Sequence, residues 1–257
     1  MRECRLISYN VNGIRAAIRK GFLEWMKESD FDLICVQESK ANSSQLDLKD
    51  FENIGYKSYW KSAQKKGYSG VIVFSKREPD NVIYESGMEK YDYEGRIIRL
   101  DFGDVTLLNC YYPSGSSGEV RQAFKMQFLD DFFIWINELK KERTKLIVCG
   151  DFNICHKPID IHDPVRNKDT SGFKPEERAW MSKYFDSGFI DTFRHFNSEP
   201  HHYSWWSYRA NARSNNKGWR IDYISTTESM KVQLLDAAIF PEVHHSDHCP
   251  IYLKFKI

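Results

Sequence analysis

Lys145-Leu146-Ile147-Val148-Cys149-Gly150-Asp151-Phe152-Asn153 is the stretch on which the reading of the chain turns. A short apolar run closed by glycine reads as a strand buried on both faces, as in an α/β sheet, because such a strand needs no polar alternation. Two short polar side chains stand at its exit, where sheets of this kind gather their binding groups. With the backbone kept extended, Asp151 and Asn153 leave the same face, one able to take a proton and the other to hold a phosphate oxygen or a water. The same residues also describe a polar turn that closes a strand. The remainder of the chain has to choose between the two.

Working outward, Cys4 to Asn10 alternates as a strand and delivers Asn10 to its end, after which Ile14 to Glu28 carries helical apolar spacing. Asp32 to Gln37 is a second strand, with Glu38 at its exit. Tyr56 to Trp60 and Gly70 to Ser75 read as strands around a lysine-rich turn. Arg96 to Phe102 and Val105 to Tyr111 form a hairpin signal around Gly103-Asp104, placing Tyr111 at a strand end. Ser114 to Gly118 is then either a linker or a small-residue loop able to meet a phosphate before the long helix Glu119 to Lys141. Pro175 with acids behind it starts a helix to about Asp186, and Asp191 to Phe196 reads as a short strand or a loop.

Between Pro200 and Ile221 there is no Asp or Glu, while Arg209, Arg213, Lys217 and Arg220 alternate with Tyr203, Trp205, Trp206, Tyr208 and Trp219. Basic groups neutralise phosphates and aromatic faces stack on bases, so this is a composition suited to nucleic acid. An aromatic core edge with arginines reaching outward gives the same letters. Ile221 to Ser225 follows as a strand that puts Asp222 in an apolar setting, where an unpaired carboxylate is costly. His244-His245-Ser246-Asp247-His248, just before the last strand Ile251 to Phe255, offers a partner. A histidine held by a buried carboxylate has a fixed tautomer and a pKa biased toward the charged form.

The 257 residues carry 37 basic and 36 acidic side chains, a net charge of +1, so any attraction to a polyanion has to be local. With 41% hydrophobic content and no evident linker or repeat, residues 1-257 are expected to form one domain. The six cysteines show no zinc-like spacing and four lie in strand patterns, which fits a reducing, intracellular setting. No apolar run approaches the roughly 20 residues that cross a bilayer, and no membrane association is expected.

Ser8-Tyr9-Asn10-Val11-Asn12-Gly13-Ile14-Arg15, Gln37-Glu38, Gly150 to Asn153, Asn211-Ala212-Arg213, Gly218 to Tyr223 and Ser246 to Pro250 together resemble the exonuclease III type apurinic/apyrimidinic endonucleases of the endonuclease/exonuclease/phosphatase superfamily. The resemblance implies an α/β (α+β) fold, a four-layer α/β/β/α sandwich with two packed mixed β-sheets. It implies Mg²⁺, replaceable by Mn²⁺, held by Glu38 with Asn10 and Asp247 as direct or water-mediated ligands. In that likeness Asp151 orients or deprotonates the attacking water, Asn153 and Asn10 hold the phosphate, and His248, oriented by Asp222, stabilises its charge. Tyr111 contacts the phosphate or assists the leaving oxygen. Trp205, Trp219 and Ile221 line a pocket for an extrahelical sugar, Arg209 inserts into the DNA, and Asn211, Arg213 and Lys125 join the DNA-facing set.

The implied reaction is hydrolysis 5′ to an abasic site in double-stranded DNA, leaving a 3′-hydroxyl, by a monomer that also has 3′-5′ exonuclease activity. Archaeal members that this chain resembles also nick at deoxyuridine, extending the partner class to DNA with deaminated sites. The chain departs from the family pattern at Tyr112-Pro113-Ser114, at Phe152 and at Thr170, which bears on DNA contact more than on chemistry. Two other readings share part of the pattern: a phosphodiesterase acting on RNA or on a phospholipid or inositol phosphate, and a non-catalytic nucleic-acid-binding module.

Overall fold

Two mixed sheets of six strands each organise the computed structural model, which describes residues 2–257. The first sheet runs β11 (Leu234–Ile239), β12 (Ile251–Lys256), β1 (Glu3–Asn10), β2 (Leu33–Gln37), β4 (Val71–Ser75), β3 (Lys57–Lys61). The second runs β5 (Asn81–Ile83), β6 (Ile97–Phe102), β7 (Val105–Tyr111), β8 (Lys145–Asp151), β10 (Asp222–Thr227), β9 (Phe189–Asp191). In each sheet one parallel pair lies at the centre, β1 with β2 and β7 with β8, and the flanking pairs are antiparallel.

Strand alternation sorts the apolar side chains into three layers. Cys4, Leu6, Cys35 and Val73 of the first sheet meet Leu100, Leu107, Ile147 and Cys149 of the second, forming the core between the sheets. The opposite face of the first sheet, with Ile7, Tyr9, Ile34 and Phe74, packs on α1 (Ile14–Arg19) and α2 (Phe22–Glu28) through Ala17, Phe22 and Met26. Two single-turn helices, α3 (Lys49–Glu52) and α4 (Glu89–Asp92), join strands at the edges. The outer face of the second sheet, with Leu108, Leu146 and Val148, packs on α5 (Glu119–Glu142) and α6 (Pro175–Asp186) through Phe128, Phe132, Ile136, Trp180 and Tyr184. Helix, sheet, sheet and helix give the four-layer α/β/β/α sandwich.

Burial on both faces explains why β2, β4 and β8 read as unbroken apolar runs. Gly150 is dictated by the close approach of β7: a Cβ there would lie 1.7 Å from the Cys110 carbonyl oxygen, and its φ is +144°. The sequence expectation fails in two places, and two edge strands were not anticipated. Helix Ile14 to Glu28 is broken into α1 and α2 because Gly21 takes a left-handed φ of +94°. Asp191 to Phe196 is the end of β9 followed by a one-turn helix, α7 (Thr192–Phe196), capped by the Asp191 carboxylate accepting from the Arg194 N–H. Edge strand β5 is only three residues long, and β11 has a register shift between Leu234 and Asp236; both lacked a clear period. Among the described residues no helix is long and apolar enough to cross a membrane.

Candidate active site

The C-terminal ends of both parallel pairs open at the same rim of the sandwich, and their register lines up the polar residues: Asn10 is beside Gln37, and Tyr111 beside Asp151. The N-terminal end of β10 and the loop before β12 reach this rim from the other direction, with Asp222 directly across from Asp151. A polar staple joins the sheets just beneath. Gln37 donates to Asn109 Oδ1 at 2.6 Å and to Ser8 Oγ at 3.0 Å, while Asn109 donates to the carbonyls of Val36 and Ile72. These bonds fix the height of one sheet against the other at the mouth of the site.

Asp151 is the centre. Its Oδ2 accepts from Asn10 Nδ2 at 2.9 Å and lies 3.9 Å from His248 Nε2, and its Oδ1 accepts the Asn153 N–H at 2.8 Å. That last bond closes a tight turn in which Asn153 has a φ of +55°, so the extended geometry expected from the sequence is not present. Asn153 nevertheless faces the same cavity, with Nδ2 donating to the Tyr112 carbonyl at 3.0 Å. His248 Nδ1 donates to Asp222 Oδ2 at 2.9 Å, and Ser204 Oγ donates to the same oxygen at 2.6 Å. A carboxylate only accepts, so Asp222 fixes the imidazole and leaves Nε2 turned toward Asp151.

Electrostatics drives these groups apart in acidity. Burial and the nearby Asp222 push the Asp151 carboxyl up to about 7, against the pull of His248 and the Asn10 and Asn153 donors. Burial opposes charge on His248, but Asp222, Asp151 and Asp247 outweigh it and raise the imidazole to about 10. Burial, with Glu38 and Asp151 adding to it, holds the Tyr111 phenol well above its usual range, so it keeps its proton as a donor. A group that exchanges a proton near neutrality therefore stands beside a fixed cation.

A cavity of about 420 Å³ opens over these residues. Its lining includes the polar side chains Glu38, Asp247, Asn12 and Tyr111 and an aromatic and apolar wall of Trp205, Trp219 and Ile221, with Gly172. The Trp205 and Trp219 rings meet edge to face at 6.0 Å, and Trp205 Nε1 donates to Asp247 Oδ2 at 3.0 Å, so one side chain ties the aromatic wall to the acidic end.

The donor set fits a hard divalent cation. Glu38 Oε1 and Asn12 Oδ1 converge on the Lys40 ammonium at 2.9 and 2.6 Å, so these oxygens already cradle a positive charge. Asp151, Asp222 and His248 bring ligand atoms within 4.8 Å of one another, yet Asp222 Oδ2 and His248 Nδ1 are spent on each other. Glu38 and Asp247 are the better candidates.

Several sequence expectations require correction. Asn10 is wholly buried, its amide shared between Glu38 Oε2 at 3.0 Å and Asp151 and its Oδ1 accepting the Asn12 N–H, so here it aligns the two carboxylates. Lys125, expected to face DNA, has no exposed side-chain surface and pairs with Glu177 at 2.6 Å. Arg213 is turned inward, donating to the carbonyls of Ser246, Pro241 and Val243 with its guanidinium 4.6 Å from the Trp206 ring; it braces the loop that carries Asp247 and His248. Arg220 is buried on Asp160 and Asp191. Arg209 and Asn211 do lie exposed on the outer loop. Within the segment from Pro200 to Ile221 the core-edge reading holds for Tyr203 and Trp206, while Trp205 and Trp219 face the cavity. Sequence reading missed Ser204 as the second donor to Asp222 and Lys40 beside Glu38; Lys40 carried a signal in its position two residues after Glu38, whereas Ser204 carried none.

Residues 7–248 match the Endonuclease/Exonuclease/phosphatase family. The chain is similar to an exodeoxyribonuclease of Bacillus subtilis, 45% identical over 98% of this chain and 100% of the relative. It is also similar to the DNA repair nuclease APEX1 of Danio rerio, 38% identical over 97% of this chain and 81% of the relative. An AP endonuclease structure from Archaeoglobus fulgidus superposes with a TM-score of 0.90 at 28% identity, covering 99% of this chain and 100% of that one.

Proposed function

The chain belongs to the endonuclease/exonuclease/phosphatase family, with DNA repair nucleases among its relatives, and from that premise we propose that it hydrolyses the phosphodiester 5′ to an abasic site in duplex DNA, leaving a 3′-hydroxyl. The observation that carries this reading is the joining of two chemistries in one cavity: a proton-exchanging Asp151 beside a charged His248, and packed against them an apolar wall of Trp205, Trp219 and Ile221. An abasic nucleotide costs least to extrude from the stack, and a slot walled by indoles takes a bare sugar without needing a base to read.

Asp151 orients the attacking water and takes its proton, which the raised basicity of its carboxylate favours near neutrality. Asn153 Nδ2, which rests on the Tyr112 carbonyl and on Asp151 Oδ2, exchanges one of these partners for a phosphate oxygen when substrate binds, and Asn10 keeps Asp151 and Glu38 aligned. His248, held charged by Asp222, stabilises the negative charge that builds on the phosphoryl oxygens. Tyr111, kept protonated, donates to the phosphate or the leaving oxygen. Glu38 would hold a divalent cation, Mg²⁺ or Mn²⁺, with Asp247 nearby; when bound it supplies charge neutralisation at the phosphate. The same groups serve 3′-5′ removal of nucleotides from a recessed end, because the bond broken is the same.

A substrate panel tests the assignment: abasic, deoxyuridine-containing and undamaged duplexes, a recessed 3′ end, an RNA strand and an inositol phosphate, each compared by kcat/KM. Preference for the abasic duplex is the expected result. Faster turnover of RNA or of the inositol phosphate would overturn it, and absence of any turnover together with retained DNA affinity would point to a binding module. Cleavage of the deoxyuridine arm by glycosylase-free protein extends the reading to deaminated sites.

A further inference from the structure

Away from the cavity, Glu177 on α6 and Lys125 on α5 form an ion pair with no exposed side-chain surface on either partner. Each partner also makes a hydrogen bond to a segment of the site. Lys125 Nζ donates to the Asn153 carbonyl at 2.8 Å, within the turn that sets Asp151 and Asn153. Glu177 Oε2 accepts the N–H of Gly172 at 2.7 Å and of Lys174 at 3.0 Å, and Oε1 also accepts from Gln122 Nε2 at 3.0 Å. Gln122 Oε1 in turn accepts from Ser171 Oγ at 2.8 Å. Ser171 and Gly172 form the cavity wall.

That wall is tightly fitted. Gly172 has a φ of +96°, and a Cβ on it would stand 3.1 Å from Trp219 and 3.2 Å from the Asn153 carbonyl oxygen. The Gly172 carbonyl accepts the Cys155 N–H at 2.7 Å, so the wall and the turn share a backbone bond as well. An ion pair withdrawn from water gains little net stability over apolar residues of the same volume, whereas leaving one partner alone is strongly unfavourable. Besides capping its own helix at Lys174 and meeting Gln122, this wholly buried pair bonds the Asn153 turn through Lys125 and the Gly172 wall through Glu177, and is therefore placed for geometry.

We infer that Glu177 and Lys125 are positioning residues: their ion pair holds the Asn153 turn and the Ser171-Gly172 wall in one register, so that hydrolysis and the choice of damaged nucleotide both depend on a pair that touches no substrate. The inference rests on the nuclease reading above. Small displacements of a reacting group cost large factors in rate, so a loosened Asn153 should act on turnover before it acts on binding.

The experiment uses the full chain with Glu177→Gln, Lys125→Met and the double variant, reading thermal unfolding together with kcat and KM on an abasic duplex. Each single variant leaves a buried charge or an unmet donor and lowers both melting temperature and kcat. In the double variant no charge is stranded and the amide oxygen introduced at position 177 still accepts from Gly172, so the melting temperature recovers. Its kcat stays about 30-fold down with KM changed less than about threefold, because Asn153 has lost its anchor. Recovery of melting temperature and kcat together would make the pair merely structural and overturn the inference.

Gln122→Ala, at a half-buried position, guards against a double variant that does not fold. It releases Ser171 without stranding a core charge, and the ratio of abasic nicking to 3′-end degradation shifts about threefold. An unchanged ratio would equally overturn the inference. Wild-type protein inactive on every DNA arm removes the nuclease reading itself, whereas active wild type with unaffected variants removes only the role of the pair.

Discussion

The two ends of the cavity are built by different means. At the polar end sheet register sets Asp151 across from Asp222 on paired strands, and His248 follows from a loop pinned to Asp222. At the aromatic end Trp205, Trp219 and Gly172 come from irregular segments held by isolated bridges and by contacts with buried side chains behind them. The contrast teaches where rigidity is placed: groups that move a proton need fixed distances, and regular backbone supplies them; a surface that sorts nucleotides by shape can be assembled from loops, provided something braces the loops.

That contrast can be broken by substitution. Asp151→Asn removes the proton acceptor with little change in shape, and kcat on an abasic duplex falls about 10³-fold while DNA affinity is retained, as read by single-turnover cleavage beside equilibrium binding. His248→Ala withdraws a cation from the transition state and costs about 10²-fold in kcat. A pH series on the wild type then separates the pair: kcat rises as Asp151 gives up its proton near pH 7 and falls as His248 gives up its own near pH 10. The His248 shift also has a sign for stability. Its folded value is raised above the ordinary 6.5, so the contribution is complete below that pH and is lost as pH climbs through about 10. The difference in unfolding free energy between wild type and His248→Ala should narrow accordingly.

The aromatic end should respond in kind, with smaller numbers. Trp219→Ala opens the slot and lowers the preference for abasic over undamaged duplex about tenfold, with the slow step on the cut strand otherwise intact. Arg209→Ala, on the exposed loop, weakens DNA binding about threefold and reduces its salt dependence, measured by titration at several salt concentrations.

Legibility in the sequence follows the same division. Asn10, Glu38, Tyr111 and Asp151 were readable because each ends an apolar run whose period and closing residues mark a strand exit. Asp222 announced itself as a carboxylate in an apolar pattern, and His248 as its nearest kind of partner. The aromatic segment was readable only as composition, which cannot say which ring turns inward: Trp205 and Trp206 are neighbours, yet one lines the cavity and the other lies under Arg213. Arg213, Arg220 and Lys125 were misread for one reason. A basic side chain looks the same in sequence whether it meets a phosphate, a backbone carbonyl or a buried carboxylate, and here tertiary packing supplied the carbonyls and the carboxylates of Asp160, Asp191 and Glu177. The break at Gly21 and the short helix after Asp191 were set by local backbone conformation that apolar spacing does not record.

The most direct measurement incubates purified wild-type protein with a duplex carrying a single abasic site, with Mg²⁺ and with chelator in excess, and examines the ends of the product. A nick on the 5′ side of the lesion, leaving a 3′-hydroxyl that a polymerase extends, and its loss on chelation, is the result the account predicts. An intact duplex in the presence of Mg²⁺, or a nick that chelation leaves unchanged, would contradict it.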